Sequence, residues 1–318
     1  MKKAKLVIGF ITYGELTANY LPYFLNSIKK QSYKDFKILS FDNSEKEINK
    51  NSEFILKNYP EIEIIRVGEN IGFARAYNIL ISQAVKIGAE YFLLLNPDLI
   101  LEPEAIKELM KVIEGDNRLG SVSPKILQWD FKNNKKTNVI DTYGVALRPG
   151  LRFIDIGQGQ IDKGQFDNIE ILGPSGAAAL YRIRALEQIA HHSHYFDELM
   201  FMYKEDCDLA YRLYLAGYKS KYVDQAIVYH DRTVKSMGEN NLKVMLNRKE
   251  KGRQAKRWAF LNQQIIFFKY WRLQNRRNKM LIFWFGLKML IFVLLFEQYL
   301  LGQFIKLWKI RKKIRIYQ

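Results

Sequence analysis

Glu205-Asp206-Cys207-Asp208 places three carboxylates in four residues, after the apolar run Leu199–Tyr203 and before Leu209, Leu213 and Ala216 at helical spacing. Acids there sit at the positive end of a helix dipole, which favours the ionised form that a general base needs. A cap accounts for one of them, not readily for three. Asn96-Pro97-Asp98 closes the apolar run Tyr91–Leu95. Residues i and i+2 of an extended segment project to one side, so Asn96 and Asp98 offer two oxygens to Mg2+ or Mn2+, completed by phosphates and water. The competing reading is a turn, with Asp98 capping the helix that begins near Pro103. His230 ends Ala226–Tyr229, where it either binds a metal or phosphate oxygen or packs as an ordinary histidine. His191-His192-Ser193-His194 has no matched partners and reads as an exposed loop.

These residues work together only if separate strand ends meet. The first half alternates apolar runs with amphipathic stretches, which predicts an α/β fold with a mostly parallel sheet. Strands are expected at Lys5–Ile11, Phe36–Phe41, Ile62–Val67 and Tyr91–Leu95. Helices are expected at Asn19–Gln31, Glu45–Asn58, Phe73–Gly88 and Pro103–Glu114, with Gly88 and Gly115 as stops. In an open α/β sheet ligands sit at the carboxyl ends of strands. The segments there are Thr12-Tyr13-Gly14, Asp42-Asn43-Ser44, Asn70-Ile71-Gly72 and Asn96-Pro97-Asp98. Each alone reads as a turn; their recurrence at one edge points to a site. Between Val122 and Glu170 the Gly, Asn, Asp and Lys content predicts long loops and short strands. A strand region at Leu172–Ile183, a helix at Asp208–Ala216 and a pair of short strands within Lys221–His230 follow.

In this order and spacing, from about Leu6 to Ser236, the residues resemble the family 2 inverting glycosyltransferases of the GT-A fold, and within them most closely bacterial rhamnosyltransferases. Asp42 falls on the aspartate that contacts the nucleotide base, and Asn70-Ile71-Gly72-Phe73-Ala74, with Arg75 and Asn78, is similar to the family's Asn-x-Gly-Phe-Ala segment. Asn96-Pro97-Asp98 occupies the metal-binding Asp-x-Asp position, and His230 that of a histidine near the donor diphosphate. Gly173-Pro174-Ser175-Gly176-Ala177-Ala178 is similar to the strand that floors the acceptor site, and the family's base falls on Asp206, with Glu205 beside it. Thr12-Tyr13-Gly14 departs from the family's frequent Thr-Tyr-Asn.

The resemblance implies donor contacts from Thr12, Tyr13, Asp42, Asn43, Asn70, Gly72, Arg75, Asn78 and Asn96. It also implies Mg2+ or Mn2+ on Asp98 and His230, and acceptor contacts from Gly173, Ser175 and Gly176. A dTDP- or UDP-sugar, rhamnose favoured, would go to a lipid-linked or polysaccharide acceptor of a cell-surface glycan. Two rivals remain: a sugar nucleotidyltransferase, which needs a glycine-rich basic loop that Thr12-Tyr13-Gly14-Glu15 is not, and a non-catalytic membrane scaffold of the same shape.

The 318 residues allow one large domain, expected at 1–240, and a tail at 241–318. Cys207 is the single cysteine, so no intrachain disulfide forms and a reducing compartment fits. Leu6–Ile11 is too short for a secretory signal and reads as a strand. The net charge of +17 lies in the tail: residues 243–318 carry 19 of the 50 Lys and Arg against Glu250 and Glu297 alone. Trp258, Leu261, Ile265 and Phe268, interleaved with Arg253, Lys256, Arg257, Lys269 and Arg272, describe a basic amphipathic helix suited to an anionic membrane surface. Met280–Leu301 is apolar but interrupted by Lys288 and Glu297, with basic residues at both ends, which favours in-plane or re-entrant attachment over a span. The cytoplasmic face of the membrane follows as the expected location. Packing on the catalytic domain or in a homodimer is the alternative, and nucleic acid is disfavoured because the charges are interleaved with long aliphatic stretches.

Overall fold

The computed structural model describes residues 4–166, 169–192, 194–231 and 252–315. The chain opens with β1 (Leu6–Thr12), α1 (Gly14–Lys29), β2 (Phe36–Asp42), α2 (Lys50–Asn58), β3 (Glu63–Arg66), α3 (Gly72–Ile87), β4 (Tyr91–Leu95), β5 (Leu99–Leu101) and α4 (Ala105–Gly115). The expected alternation is present, although α1 starts at once after β1 rather than at Asn19. Gly88 closes α3 in the left-handed conformation with φ 79°, whereas Gly115 is itself helical and extended Asp116 ends α4.

The middle of the chain departs from expectation. It forms β6 (Leu119–Asp130), β7 (Lys135–Thr142), β8 (Val145–Arg148), β9 (Arg152–Asp155), β10 (Glu170–Ile171) and β11 (Ala178–Arg182), then α5 (Ile183–Ile189), α6 (Glu205–Leu215) and β12 (Lys219–His230). β8, β9 and β10 are short strands as expected, but twelve-residue β6 stands where long loops and short strands were expected, and β12 is one twelve-residue strand rather than two short ones. β6 hides its strand character in small polar residues whose partners are remote: Ser121 is buried and shares a 2.7 Å hydrogen bond with Ser220 of β12. Pro124 is tolerated beside a register shift between Val223 and Ile227, which leaves the ladder irregular where its N–H is missing.

Ten strands form one mixed sheet, ordered β10-β12-β6-β11-β4-β1-β2-β3, with β5 on β12 and β7 on β6. β1 pairs in parallel with β2 and β4, and antiparallel β11 begins opposite the end of β4. The register pairs Thr12 with Asp42 and Leu95 with Ala178, so these termini share one rim. β1 alternates between two cores: Leu6, Ile8 and Phe10 pack with α1 and α4, and Val7 packs with α3, α5 and α6.

The tail folds as α7 (Arg253–Tyr270), α8 (Arg276–Phe296) and α9 (Gly302–Ile310). The expected boundary near residue 240 lies outside the described residues, and a hydrophobic core runs across it. Leu261, Ile265, Ile266, Phe267 and Tyr270 pack against Val145, Leu151 and Phe153 and against Met200, Cys207 and Tyr211. Leu261 and Ile265 of the expected stripe therefore face protein and Trp258 is half-buried, whereas Phe268 is 44 % exposed, and Lys269, read as a surface charge, is 2 % exposed. α8 has 21 residues and contains an 18-residue window of mean hydropathy 2.1 that is 11 % buried, so by length and composition it is long and apolar enough to cross a membrane. Its exposed side carries Phe283, Trp284, Ile291, Leu295 and Phe296. A nearly buried Lys256–Glu297 pair at 2.9 Å ties α7 to the end of α8.

Candidate active site

The three acids at the start of α6 have three different surroundings. Asp208 is fully buried and meets Arg212 Nε at 3.0 Å, Lys269 Nζ at 2.7 Å and the Tyr270 hydroxyl at 2.7 Å. Burial opposes its ionisation, but Lys269 and Arg212 outweigh it and hold the carboxyl below its ordinary range. Glu205, expected beside Asp206 as a catalytic acid, is instead buried, with Oε2 lacking a hydrogen-bond partner. Burial, and then the charge of Asp206, push its pKa well above its ordinary value, which disfavours the ionised form that a base needs. Asp206 alone stays partly exposed. Its Oδ1 accepts from the Cys207 N–H at 2.8 Å and its Oδ2 from the Gly176 N–H at 2.9 Å.

Gly176 links Asp206 to the rim, because the next residue, Ala177, accepts from the Asn96 N–H at 2.8 Å. A Cβ on Gly176 would meet Asp206 Oδ2 at 3.4 Å, an ordinary contact, so it is the Gly176 N–H rather than the missing side chain that ties the carboxylate to the segment leading into β11. Ser175 is buried there, while Gly173 serves close packing: a Cβ would sit 2.4 Å from that of Ala210 on α6. Two residues past Asn96, Asp98 Oδ1 lies 3.3 Å from His230 Nε2, and His230 Nδ1 lies 2.8 Å from Asp141 Oδ2. Burial lowers the pKa of His230, yet Asp98 and Asp141 together raise it to about 10. The Asp98 contact is an ion pair without hydrogen-bond alignment, so this buried oxygen has no aligned donor. Among the described residues no three His, Cys, Asp or Glu side chains form a metal cluster.

Thr12 donates to Asp42 Oδ1 at 3.2 Å, the Ser44 N–H donates to the same oxygen at 3.1 Å, and Asn49 Nδ2 donates to Oδ2 at 2.7 Å. Asn43 accepts from the Ile71 N–H at 3.0 Å and donates to the Gly72 carbonyl at 3.3 Å, tying the ends of β2 and α3. Asn70 accepts from the Gly72 N–H at 3.0 Å. Gly72 needs its hydrogen twice over, with φ 81° and the Phe201 carbonyl 2.6 Å from where a Cβ would stand. Tyr13 is exposed at the mouth.

Two of the expected donor contacts, Asn78 and Arg75, have different surroundings. Asn78 is spent on protein: Oδ1 accepts from Tyr195 and Phe196, and Nδ2 donates to the Phe196 carbonyl and Glu198. That exhausts a carboxamide. Arg75 is exposed and lines, with Asn78, a groove of about 690 Å³ between α3 and residues 192–198. Two residues that reach the site carry no local sequence signal, namely Asp141 behind His230 and Asn262 from α7, and Lys269, expected on the surface of that helix, reaches Asp208 instead.

The rim thus joins a partly exposed carboxylate on a helix N-terminus, a second carboxylate paired with histidine, and glycine turns that leave backbone open. A family model described as glycosyl transferase family 2 matches residues 8–190, more than half of the chain. The chain belongs to glycosyl transferase family 2. A glycosyl transfer role follows from membership. The chain is 25 % identical, over 238 residues covering 67 % of it and 72 % of the relative, to the N-acetylglucosaminyl-diphospho-decaprenol L-rhamnosyltransferase of Mycobacterium tuberculosis. Among solved structures, the fold of this glycosyltransferase is similar to that of GalNAc-T7 with UDP, GalNAc and Mn2+, with TM-score 0.60, 13 % identity, and coverage of 84 % of this chain and 49 % of that one. It is also similar to the Pyrobaculum calidifontis mannosyltransferase PcManGT with GDP-Man and Mn2+, with TM-score 0.53, 14 % identity, and coverage of 95 % and 73 %. These likenesses place the chain in the GT-A fold.

Proposed function

We propose that this glycosyltransferase moves a sugar, rhamnose favoured, from a nucleoside diphosphate to a hydroxyl of a lipid-linked acceptor, inverting the anomeric carbon. The observation that carries the reading is the Asp206 carboxylate, partly exposed and aimed by the Gly176 amide at the rim that also holds Asn96 and Asp98. Asp206 accepts the proton of the acceptor hydroxyl as that oxygen attacks the anomeric carbon opposite the departing diphosphate. The partly exposed backbone at Gly176 receives the acceptor, with Gly173 and Ser175 buried behind it. Thr12, Tyr13, Asp42, Asn43, Asn70 and Gly72 frame the nucleotide, with Asp42 buried and acting through the turn it holds. The named substrate of the mycobacterial relative supports rhamnose and a lipid diphosphate carrier.

The residues around Asp98 fit a divalent cation: its Oδ1 is buried without an aligned donor, and His230 beside it is oriented by Asp141. Asp98 would hold Mg2+ or Mn2+, with phosphates and water completing the shell, and His230 would join as a ligand only by giving up its Nε2 proton to the incoming cation. Such a cation supplies positive charge against the leaving diphosphate. The exposed apolar side of α8 and the basic residues Arg311, Lys312 and Lys313 beyond α9 support attachment to an anionic membrane surface on its cytoplasmic side.

The test is thermal unfolding of the purified chain with dTDP-rhamnose, UDP-GlcNAc and GDP-mannose, with and without Mn2+. A ligand that binds the folded state raises the melting temperature. The reading expects a rise with one sugar nucleotide that grows with Mn2+, and expects Asp98→Asn to lose the Mn2+ increment. No rise with any of the three would overturn it.

A further inference from the structure

We propose that tail helix α7 belongs to the catalytic apparatus, with Asn262 as the positioning residue that fixes the turn from which Asp206 projects; this rests on the reading of Asp206 as the base. The turn before α6 is unusual. Tyr203 and Lys204, neither of them glycine, both adopt left-handed backbone with φ 72° and 73°, and Lys204 provides no side-chain cap to the helix it precedes. Consecutive left-handed residues with side chains are strained and persist only where their surroundings over-determine them. Here α7 is the surrounding. Asn262, 1 % exposed, donates both hydrogens of its amide nitrogen, to the Met202 carbonyl at 2.9 Å and the Tyr203 carbonyl at 2.7 Å.

The same face of α7 holds both sides of that turn. One helical turn earlier, Trp258 stacks on Phe201 with centroids 4.9 Å apart. Two turns later, Lys269 reaches Asp197 and Asp208, each at 2.7 Å, and the Tyr270 hydroxyl donates to Asp208. Asp206 lies between the Asn262-held turn and the Lys269-held Asp208, and its own carboxylate accepts from the Gly176 and Cys207 amides. The Gly176 amide aims the carboxylate, and α7 fixes the backbone that carries it. Phe201 also accepts from the Phe73 N–H at 2.8 Å, so the clamp reaches the start of α3 on the nucleotide side.

The test uses the full chain, Asn262→Ala and Asn262→Ser, each alone and combined with Asp206→Asn. The substrate is whichever of dTDP-rhamnose, UDP-GlcNAc and GDP-mannose turns over fastest. A base displaced by about 1 Å loses on the order of 100-fold in rate, so kcat should fall about 10- to 100-fold in Asn262→Ala while the sugar-nucleotide KM stays within about threefold. Asn262→Ser keeps one donor, recovers part of the rate, and carries the test where the alanine variant does not fold. In the Asp206→Asn background the Asn262 substitution should cost nothing further, because its effect runs through the missing carboxylate. An equal fold-loss in both backgrounds, or unchanged kcat in folded Asn262 variants, overturns the positioning role. Near-normal turnover by Asp206→Asn alone would instead overturn the assignment of the base.

Discussion

Replacing Lys269 with Met separates two accounts of the tail. If α7 presents its charges to a bilayer, the substitution weakens membrane binding and leaves folding alone. In the structure Lys269 Nζ lies 2.7 Å from Asp208 Oδ1, with side chains 2 % and 0 % exposed. Removing one member of a buried ion pair costs about 3–5 kcal/mol, because the other charge stays desolvated. Arg212 and Tyr270 remain on Asp208, which argues for the lower end, about 3 kcal/mol, or roughly a hundredfold in the folding equilibrium. Equilibrium unfolding in urea should show a midpoint lower by about 1 M. The pH dependence adds a check. The folded pKa of Asp208 is depressed, so its stabilisation is present above the unfolded value near 3.8 and lost as pH falls through the lower folded value. The gap between wild type and variant should therefore hold from pH 8 to 5 and narrow in acid. A variant within about 0.5 kcal/mol of wild type at pH 7.5 would refute the reasoning.

Glu205→Gln should behave in the opposite sense. The folded pKa of Glu205 is raised above 4.5, so the folded state holds more protons than the unfolded one and loses stability as pH rises from about 5. The glutamine variant should match wild type near pH 4 in thermal unfolding and exceed it at pH 8; parallel curves would contradict the burial of a neutral acid. Gly173→Ala places a Cβ 2.4 Å from that of Ala210, against an ordinary contact of about 3.5–4.0 Å, so α6 must move by roughly 1 Å. Steady-state kinetics should show a loss of around 100-fold in kcat. Trp284→Glu with Leu295→Glu should abolish flotation with phosphatidylglycerol vesicles while donor binding in solution is kept; undiminished flotation would mean that α8 meets protein instead.

The first half of the sheet was legible because β1 to β4 are apolar runs joined by amphipathic helices, and the strand-end rule then gathered Thr12, Asp42, Asn70 and Asn96 onto one rim. β6 was not, since its buried serines and proline read as loop until β12, about 100 residues later, supplies their partners. The site divided in the same way. Asp206 and Asp98 stand out locally, but nothing near Asp141 or Asn262 in sequence announces that one orients His230 and the other grips the turn before α6. Which acid at 205–208 stays at the surface is decided by burial and by Lys269, which arrives from the tail. The stripe on α7 was readable, but its occupant was not, because apolar residues flanked by basic ones suit lipid and protein alike. One clue lay in the register: Lys269 follows Trp258 and Ile265 on the buried stripe, a poor place for a charge meant for phospholipid heads.

The most direct test of the central claim is the turnover of folded Asp206→Asn on the preferred sugar nucleotide, alongside its binding of that nucleotide. Loss of a positioned base predicts kcat lower by about 10²- to 10⁴-fold with the ligand-induced rise in melting temperature intact. Turnover near that of wild type in a folded, nucleotide-binding variant would contradict it.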